Sequence, residues 1–535
     1  MRARFLLLAA ALAAFGGSLF AGFHLDDYAI FSDPLPRVGS VLRAWPHPLT
    51  HFIDWLNYQV AGQEPMGYHA VNLLLHLGAV LLAYECLRRI LPATAAVLAA
   101  AIFAVHPLQA EAVDYVAARG AMLAAVLCFA ALLAWIAGRP WIALAAFAGA
   151  LLADERCALF PAVLTMVQWG CPPGGRPVGR GTPSSRSLVD YCGRERYATD
   201  ATGGVRADQG GRAGDRPLGV NFASTEHCSG PTSGAGADRV SNRQESVTAK
   251  LTLIGVRPTF ALAAAFGLGI GLGGAAAVRA HATAYAYALV ALRFLRLLVL
   301  PWGFTIAPDV HEPRWLAVAA AATIVAVVLW RWRRLSVHSE LSWLLIGLLL
   351  LVPSFSAAPA ADPRAYLPLF AFAAAAGLLL ARVPARALGT AAVAILTAVS
   401  VGRTYVWMSE ERLWREAVRR APGMVEPKIQ LAKQLRAADA LELLDRAREQ
   451  APYNSEIPAG IGKVLLDEQQ YQGAVDELSR AVALNPRNAL AFNNRGVALA
   501  ALGQSSAAAA DFRHALALDP HLAEARENLK RLGAR

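Results

Sequence analysis

The sequence is poor in charged residues. Only 17% of its 535 residues are Asp, Glu, Lys or Arg, whereas 56% are hydrophobic. Soluble globular proteins carry about 25% charged and about 45–50% apolar residues. The shortage of charge therefore excludes an ordinary soluble domain for most of the chain. Apolar runs of roughly 15–20 residues recur along it, and they predict a polytopic membrane protein.

Cysteine is scarce as well, with six residues and no CxxC pair or zinc-type spacing among them. The cysteines therefore predict neither a disulfide framework nor a metal site. A large basic face for nucleic acid is also missing, although the formal net charge is +11. Basic residues instead gather at the ends of apolar runs, as in Arg88-Arg89 and the segment RWRR at 331–334, which is typical of topology signals.

The apolar runs predict about eleven membrane spans, with the N-terminus in the cytoplasm because basic residues precede the first run. We interpret that first run as an uncleaved helix, and a cleaved signal peptide is the alternative. The region 284–304 carries two arginines and is interpreted as an interfacial or re-entrant helix on the outer face. The later spans are expected at about 70–87, 93–106, 121–137, 141–153, 156–169, 258–278, 315–330, 341–353, 367–381 and 387–402.

Composition divides the chain into four parts. Segment 171–250 is rich in Gly, Arg, Ser and Pro, which predicts a disordered cytoplasmic insert and would also fit a shifted reading frame. On either side we expect a membrane module, at 1–170, which includes a first outer loop at 24–69, and at 251–403. The charged, Ala-rich tail 404–535 is expected outside the cytoplasm.

The tail repeats with the 34-residue period of tetratricopeptide (TPR) helix pairs. Small residues let the two helices of such a pair approach, and a terminal Pro ends the second helix. The sequence predicts repeats at 455–488 and 489–522, preceded by a degenerate repeat at 423–454. Matching positions are Gly462/Gly496, Leu465/Leu499, Ala474/Ala508, Ala481/Ala515 and Pro486/Pro520.

Polar residues in or beside membrane helices are costly unless they are paired or functional. The predicted topology brings several of them to the outer face, where each one alone would be an ordinary solvated helix end. Together, carboxylates and arginines suit a reaction between an anionic lipid-linked donor and a hydroxyl nucleophile. These residues are Asp26, Asp27, His106, Glu111, Arg119, Glu155 and Arg364.

A second polar group lies on the predicted span at 70–87. His69, Asn72 and His76 are spaced so that they share one face of the helix. Hydrogen bonding between helices is the simpler interpretation and substrate contact is the alternative. The two histidines alone are weak evidence for a metal.

The order of these motifs resembles the transmembrane and TPR repeat-containing protein O-mannosyltransferases and their bacterial relatives. The resemblance implies an all-α GT-C membrane fold followed by a TPR α-solenoid, with Asp26 or Asp27 as catalytic base. It also implies that His106, Glu111 and Arg119 line one cavity. The chain differs from the family at Ala153-Asp154-Glu155, where the family has Ser-Lys-Glu. The resembling segments are FHLDDYAI, YHAVNLLLHL, HPLQAEAVDYVAARG, ADERCALFP, LLVLPWGF, PSFSAAPAADPRAYLPL and WMSEERLWREAVRRAP.

These observations predict a glycosyltransferase of a membrane, expected to be a bacterial inner membrane. It would move a sugar, with mannose as one candidate, from a polyprenyl phosphate to an exported protein or other hydroxyl acceptor held by the TPR tail. The donor phosphate would lie near Arg119 and Arg364, and no further cofactor is implied. A catalytically inactive, membrane-anchored TPR scaffold is the alternative, and a transporter ranks third.

Overall fold

The structure of the protein is a computed structural model. It describes residues 1–24, 27, 47–170, 293, 296–297, 304, 327, 336–351, 365–384 and 386–533. Over these residues the chain forms α-helices and short 3-10 helices, with no β-strand among them. The predicted all-α class is therefore confirmed. The proposed insert and the spans expected at 258–278 and 315–330 lie outside the described residues, as do Asp26 and Arg364.

Eleven α-helices precede the tail in the described part of the chain. Several begin with proline, which suits the first helical turn because its missing N–H needs no partner there. The helices are α1 (Arg2–Phe15), α2 (Pro48–Ala61), α3 (Pro65–Ile90), α4 (Ala93–Val105), α5 (Ala110–Asp114), α6 (Arg119–Ile136), α7 (Pro140–Ala153), α8 (Pro161–Gly170), α9 (Glu340–Leu351), α10 (Tyr366–Arg382) and α11 (Arg386–Trp407).

Among the residues that the structure describes, four helical segments are long and apolar enough to cross a membrane, namely Arg2–Phe20, Pro65–Ile90, Val116–Ile136 and Ala387–Trp407. A fifth arises if α4 and the segment Pro107–Asp114, bent by 45° against it, form one broken span. Helices α7, α9 and α10 are apolar but shorter. All of these helices overlap with spans predicted from the sequence. The total number of about eleven spans and the GT-C arrangement stay predictions.

Small residues bring the membrane helices close together. Helix α10 packs along α4, and a Cβ added to Gly377 would lie only 2.5 Å from the carbonyl oxygen of Ala95. Around this contact Phe103, Phe129 and Phe370 fill the centre of the bundle with their rings packed edge-on or tilted. Close backbone approach at small residues is the usual basis of helix association in membranes.

The tail consists of paired antiparallel helices. Small residues lie where the helices of a pair meet, because a Cβ on Gly462 would come within 2.5 Å of Leu478 and one on Gly496 within 2.7 Å of Phe512. This contact is the physical reason for the 34-residue repetition. The tail helices are α12 (Glu410–Arg420), α13 (Glu426–Ala432), α14 (Ala437–Gln450), α15 (Glu456–Asp467), α16 (Tyr471–Leu484), α17 (Ala489–Ala501), α18 (Ser505–Leu518) and α19 (Ala523–Gly533).

The tail is attached to the membrane region through a packed junction. Arg403 near the end of α11 forms a buried ion pair with Glu416 of α12. One turn later, the Trp407 ring stacks on Tyr115, with ring centroids 5.7 Å apart. Tyr115 follows α5 directly, so the last membrane helix contacts the loop between α5 and α6 and also holds the first tail helix.

Candidate functional site

Asp27 is fixed to the loop between α5 and α6 by both of its carboxylate oxygens. Oδ1 accepts a hydrogen bond from the backbone N–H of Ala117 at 2.7 Å, and Oδ2 accepts one from His24 N–H at 3.0 Å. The side chain is fully buried. Burial raises the pKa of Asp27 to about 7, while these backbone hydrogen bonds and the charge of Arg119 oppose the rise. Asp27 therefore links His24, in the segment after α1, to the loop before α6.

Arg119, the first residue of α6, is wholly buried and paired. Its Nη1 lies 2.8 Å from Oδ1 of Asp54 in α2. Neutral oxygens accept its remaining hydrogen bonds at 3.2–3.3 Å, namely Oδ1 of Asn57, Oδ1 of Asn72 and the carbonyl of Tyr68. In this arrangement the guanidinium joins α2, α3 and α6. Asp54 is its counter-charge, and burial raises the pKa of Asp54 against the pull of that cation.

The polar stripe on α3 makes hydrogen bonds to neighbouring segments. Asn72 donates from Nδ2 to the carbonyls of Val113 and Tyr115, at 3.2 and 3.1 Å. His69 bonds through Nε2 to the carbonyl of Gly22 at 3.2 Å. Asn72 also accepts from Arg119, so one side of α3 contacts the segment after α1 at Gly22, the α5–α6 loop and the start of α6.

His76 lies deeper in the bundle and bonds through both ring nitrogens. Nε2 lies 3.0 Å from the carbonyl oxygen of Ala104, which can only accept, so this nitrogen carries the proton. Nδ1 then accepts from the hydroxyl of Tyr366, at 2.8 Å. A neutral imidazole with both nitrogens occupied positions α3, α4 and α10 relative to one another.

His106 directly follows α4, and Glu111 lies in the short helix α5. His106 Nδ1 accepts a hydrogen bond from Leu108 N–H at 3.2 Å and caps the short helix at Pro107–Gln109. Both side chains are buried. They lie on the segment that leads from the end of α4 to the α5–α6 loop.

The acidic turn after α7 forms a separate polar cluster. Arg156 binds both carboxylate oxygens of Asp154, and Glu155 contacts the imidazole of His47. Burial of Asp154 opposes ionisation, but the charge and hydrogen bonds of Arg156 outweigh it and lower the pKa of Asp154. Burial likewise opposes ionisation of Glu155, and the contact with His47 lowers the pKa of Glu155 overall.

The structure brings together some of the residues predicted from the sequence. Asp27, Arg119 and Asn72 are connected through the α5–α6 loop. His69 and His76 of the same stripe contact other segments, and Glu155 belongs to the cluster after α7. Sequence reasoning missed Asp54 and His47. Asp54 lies on an amphipathic stretch whose polar face gave no reason to single it out, and His47 lies far along the chain from its partners.

Comparison with known proteins finds similarity over part of the chain. Protein O-mannosyl-transferase Tmtc1 of Drosophila melanogaster is 42% identical over 105 residues, which cover 19% of this chain and 12% of the fly protein. Mouse TMTC3, also a protein O-mannosyl-transferase, is 30% identical over 149 residues, covering 24% of this chain and 16% of the mouse protein. The chain is similar to the TMTC protein O-mannosyl-transferases.

The resemblance predicted from the sequence is therefore confirmed, and the matches span less than one fifth of the length of either relative. A family model for the TPR repeat matches residues 462–503, within the predicted repeats. Among solved structures, the Arabidopsis OM64 TPR domain is 28% identical with a TM-score of 0.20, covering 21% of this chain and 93% of that domain. Apolar helices and TMTC similarity together describe a membrane protein with a TPR tail.

Proposed function

We propose that the protein is a membrane glycosyltransferase that moves a sugar from a polyprenyl phosphate to a hydroxyl group of an exported protein. Its similarity to TMTC protein O-mannosyl-transferases supports this class of reaction and makes mannose the first sugar to test. The membrane is a bacterial inner membrane with the TPR tail on its outer side. The tail holds the acceptor protein.

The observation that carries the proposal is the anchoring of Asp27. Its two oxygens are held by backbone N–H groups of separate segments, and its side chain is buried. Such a carboxylate cannot also meet a large acceptor, so we assign Asp27 a positioning role and its neighbour Asp26 the role of general base. A carboxylate within reach of the acceptor hydroxyl takes its proton as the new glycosidic bond forms.

The other polar residues receive roles that follow from their surroundings. Arg119 forms an ion pair with Asp54, so we assign it a role in stabilising the site rather than in binding the donor phosphate. Arg364, on the predicted last large outer loop, is assigned to the phosphate, which suits a guanidinium because of its paired donors. His106 and Glu111, which are both buried, are assigned to the lining of the same cavity. Glu155 is assigned to donor binding.

Purified protein incubated with radiolabelled polyprenyl-phosphate mannose and a Ser/Thr-rich peptide tests the assignment. We expect Asp26→Asn to lower the rate of mannose transfer by a factor of about 10²–10⁴, which is the usual contribution of a general base. Asp27→Asn should lower turnover together with protein stability, whereas Glu64→Asn, on an exposed loop, is the matched control. Transfer by Asp26→Asn at the wild-type rate would refute the assignment.

A scaffold without catalysis is the second candidate. It is favoured by the replacement of the family's Lys by Asp154, which removes a cation from the turn after α7. The scaffold predicts no donor turnover under any of these conditions, together with unchanged acceptor binding in all the variants. The same assay therefore separates the two candidates.

A further inference from the structure

Three metal-ligating side chains meet at the outer ends of α2 and α7. His47 directly precedes α2, and Asp154 and Glu155 directly follow α7. Each offers one ligand atom, and these atoms all lie within 4.8 Å of one another. A single cation placed between them would therefore reach all three, through one imidazole nitrogen and two carboxylate oxygens.

The neighbouring backbone holds these groups in place before anything binds. Thr50, in the first turn of α2, donates its hydroxyl to the carbonyl of Ala153 at 2.8 Å. A Cβ on Gly120 of α6 would lie 3.1 Å from that same carbonyl oxygen, so α6 also packs closely against the end of α7. The start of α2 and the end of α7 are thus locked together, which is the preorganisation that a ligand site requires.

The charge around the cluster favours a cation. Asp154 and Glu155 bring two negative charges, and Arg156 returns one positive charge through bonds of 2.8 and 2.5 Å to Asp154. With His47 neutral, the group is left with one net negative charge. The carboxyl end of α7 adds its partial negative charge at the same place.

Arg156 does not prevent Asp154 from acting as a ligand. Carboxylates that bind metals are commonly hydrogen-bonded by a second group that fixes their orientation, and each oxygen keeps a further lone pair. Glu155 and His47 touch through Oε2 and Nε2, so the Nε2–H of a neutral His47 donates to the carboxylate when no cation is bound. The cation takes the place of that proton, which moves to Nδ1 and leaves His47 neutral.

We propose that His47, Asp154 and Glu155 bind a divalent transition-metal ion of the Mn²⁺ or Zn²⁺ type. Mixed nitrogen and carboxylate ligands suit such ions, whereas Mg²⁺ and Ca²⁺ prefer oxygen alone. The side chains of His47 and Glu155 are 31% and 20% exposed, so the remaining coordination positions open to water or to an anionic substrate. The proposal concerns binding of the ion itself and does not depend on the proposed function.

Mn²⁺ titration of the full-length, chelator-stripped protein in detergent, followed by electron paramagnetic resonance, tests the site. We expect saturable binding of one Mn²⁺ per chain, weakened at least about tenfold by His47→Gln and by Glu155→Gln. His51→Gln and Glu64→Gln are matched controls, because both residues are exposed and lie outside the cluster, His51 in the first turn of α2 and Glu64 beyond its other end. Equal affinity in wild type, variants and controls would overturn the proposal.

A second measurement guards against variants that fail to fold. Pulsed resonance of Mn²⁺ bound to the wild type should show the coupling of one directly bonded ¹⁴N nucleus. This signal should persist in His51→Gln and disappear in any folded His47→Gln sample. Binding without a nitrogen coupling in the wild type, or a coupling that survives loss of His47, would assign the ion to another place.

Discussion

Replacing Asp54 by Asn should destabilise the membrane region, because it leaves the buried charge of Arg119 without its counter-charge. The Asp54 side chain is 13% exposed and that of Arg119 is fully buried. Removing one partner of a buried ion pair costs about 3–5 kcal/mol. Three neutral oxygens still accept from the guanidinium, so the lower end, about 3 kcal/mol, is expected.

The free energy of unfolding is measured by SDS titration in mixed micelles, with circular dichroism as the signal. Glu442→Gln is the matched control, because its partner Arg446 is exposed and such pairs contribute only about 0–1 kcal/mol. Combining Asp54→Asn with Arg119→Met should restore about 1–3 kcal/mol, since no charge then remains buried. If Asp54→Asn costs no more than Glu442→Gln, the stabilising role assigned to this pair is wrong.

Three further predictions concern packing, pH and the tail. Gly377→Ala should lower the free energy of unfolding by about 1–3 kcal/mol because its Cβ meets the α4 backbone, whereas Gly402→Ala, in open space, should be neutral or stabilising. The raised pKa of Asp27 means that the folded state holds a proton that the unfolded state releases, so stability should fall between about pH 4 and pH 7, and thermal scans of Asp27→Asn should lack this decline. Arg403→Gln should weaken the junction by about 1–3 kcal/mol and speed limited proteolysis between α11 and α12 roughly tenfold; unchanged cleavage would contradict the pairing with Glu416.

The helices of this protein follow from local patterns in its sequence. The apolar run behind α3 and the arginines at its end predicted a membrane helix close to Pro65–Ile90. The period of 34 predicted the paired helices of the tail, because Gly462 and Gly496 occupy equivalent contacts. Such features can be predicted because residues in equivalent positions of a helix or a repeat meet the same surroundings. The spacing of residue types in the sequence therefore matches the period of the structure.

The partners inside the site could not be predicted in the same way. Arg119 was identified as a phosphate ligand from its place in an outer loop, and its buried pairing with Asp54 depends on how α2 folds back onto α6. The contact of His47 with Glu155 joins positions 108 residues apart. Neither has a spacing signal, because the separation along the chain is set by intervening helices rather than by the chemistry of the contact.

The junction between α11 and α12 would hold the tail at a fixed distance from the membrane site. Arg403 pairs α11 with Glu416 of the first tail helix, and Trp407 of α11 stacks on Tyr115 in the loop that also anchors Asp27. Under the proposed function, an acceptor segment seated on the repeats would then lie at a set distance from the membrane site. The hydroxyl that is modified would be chosen by counting residues from the seated segment, and one added repeat would move that position along the acceptor.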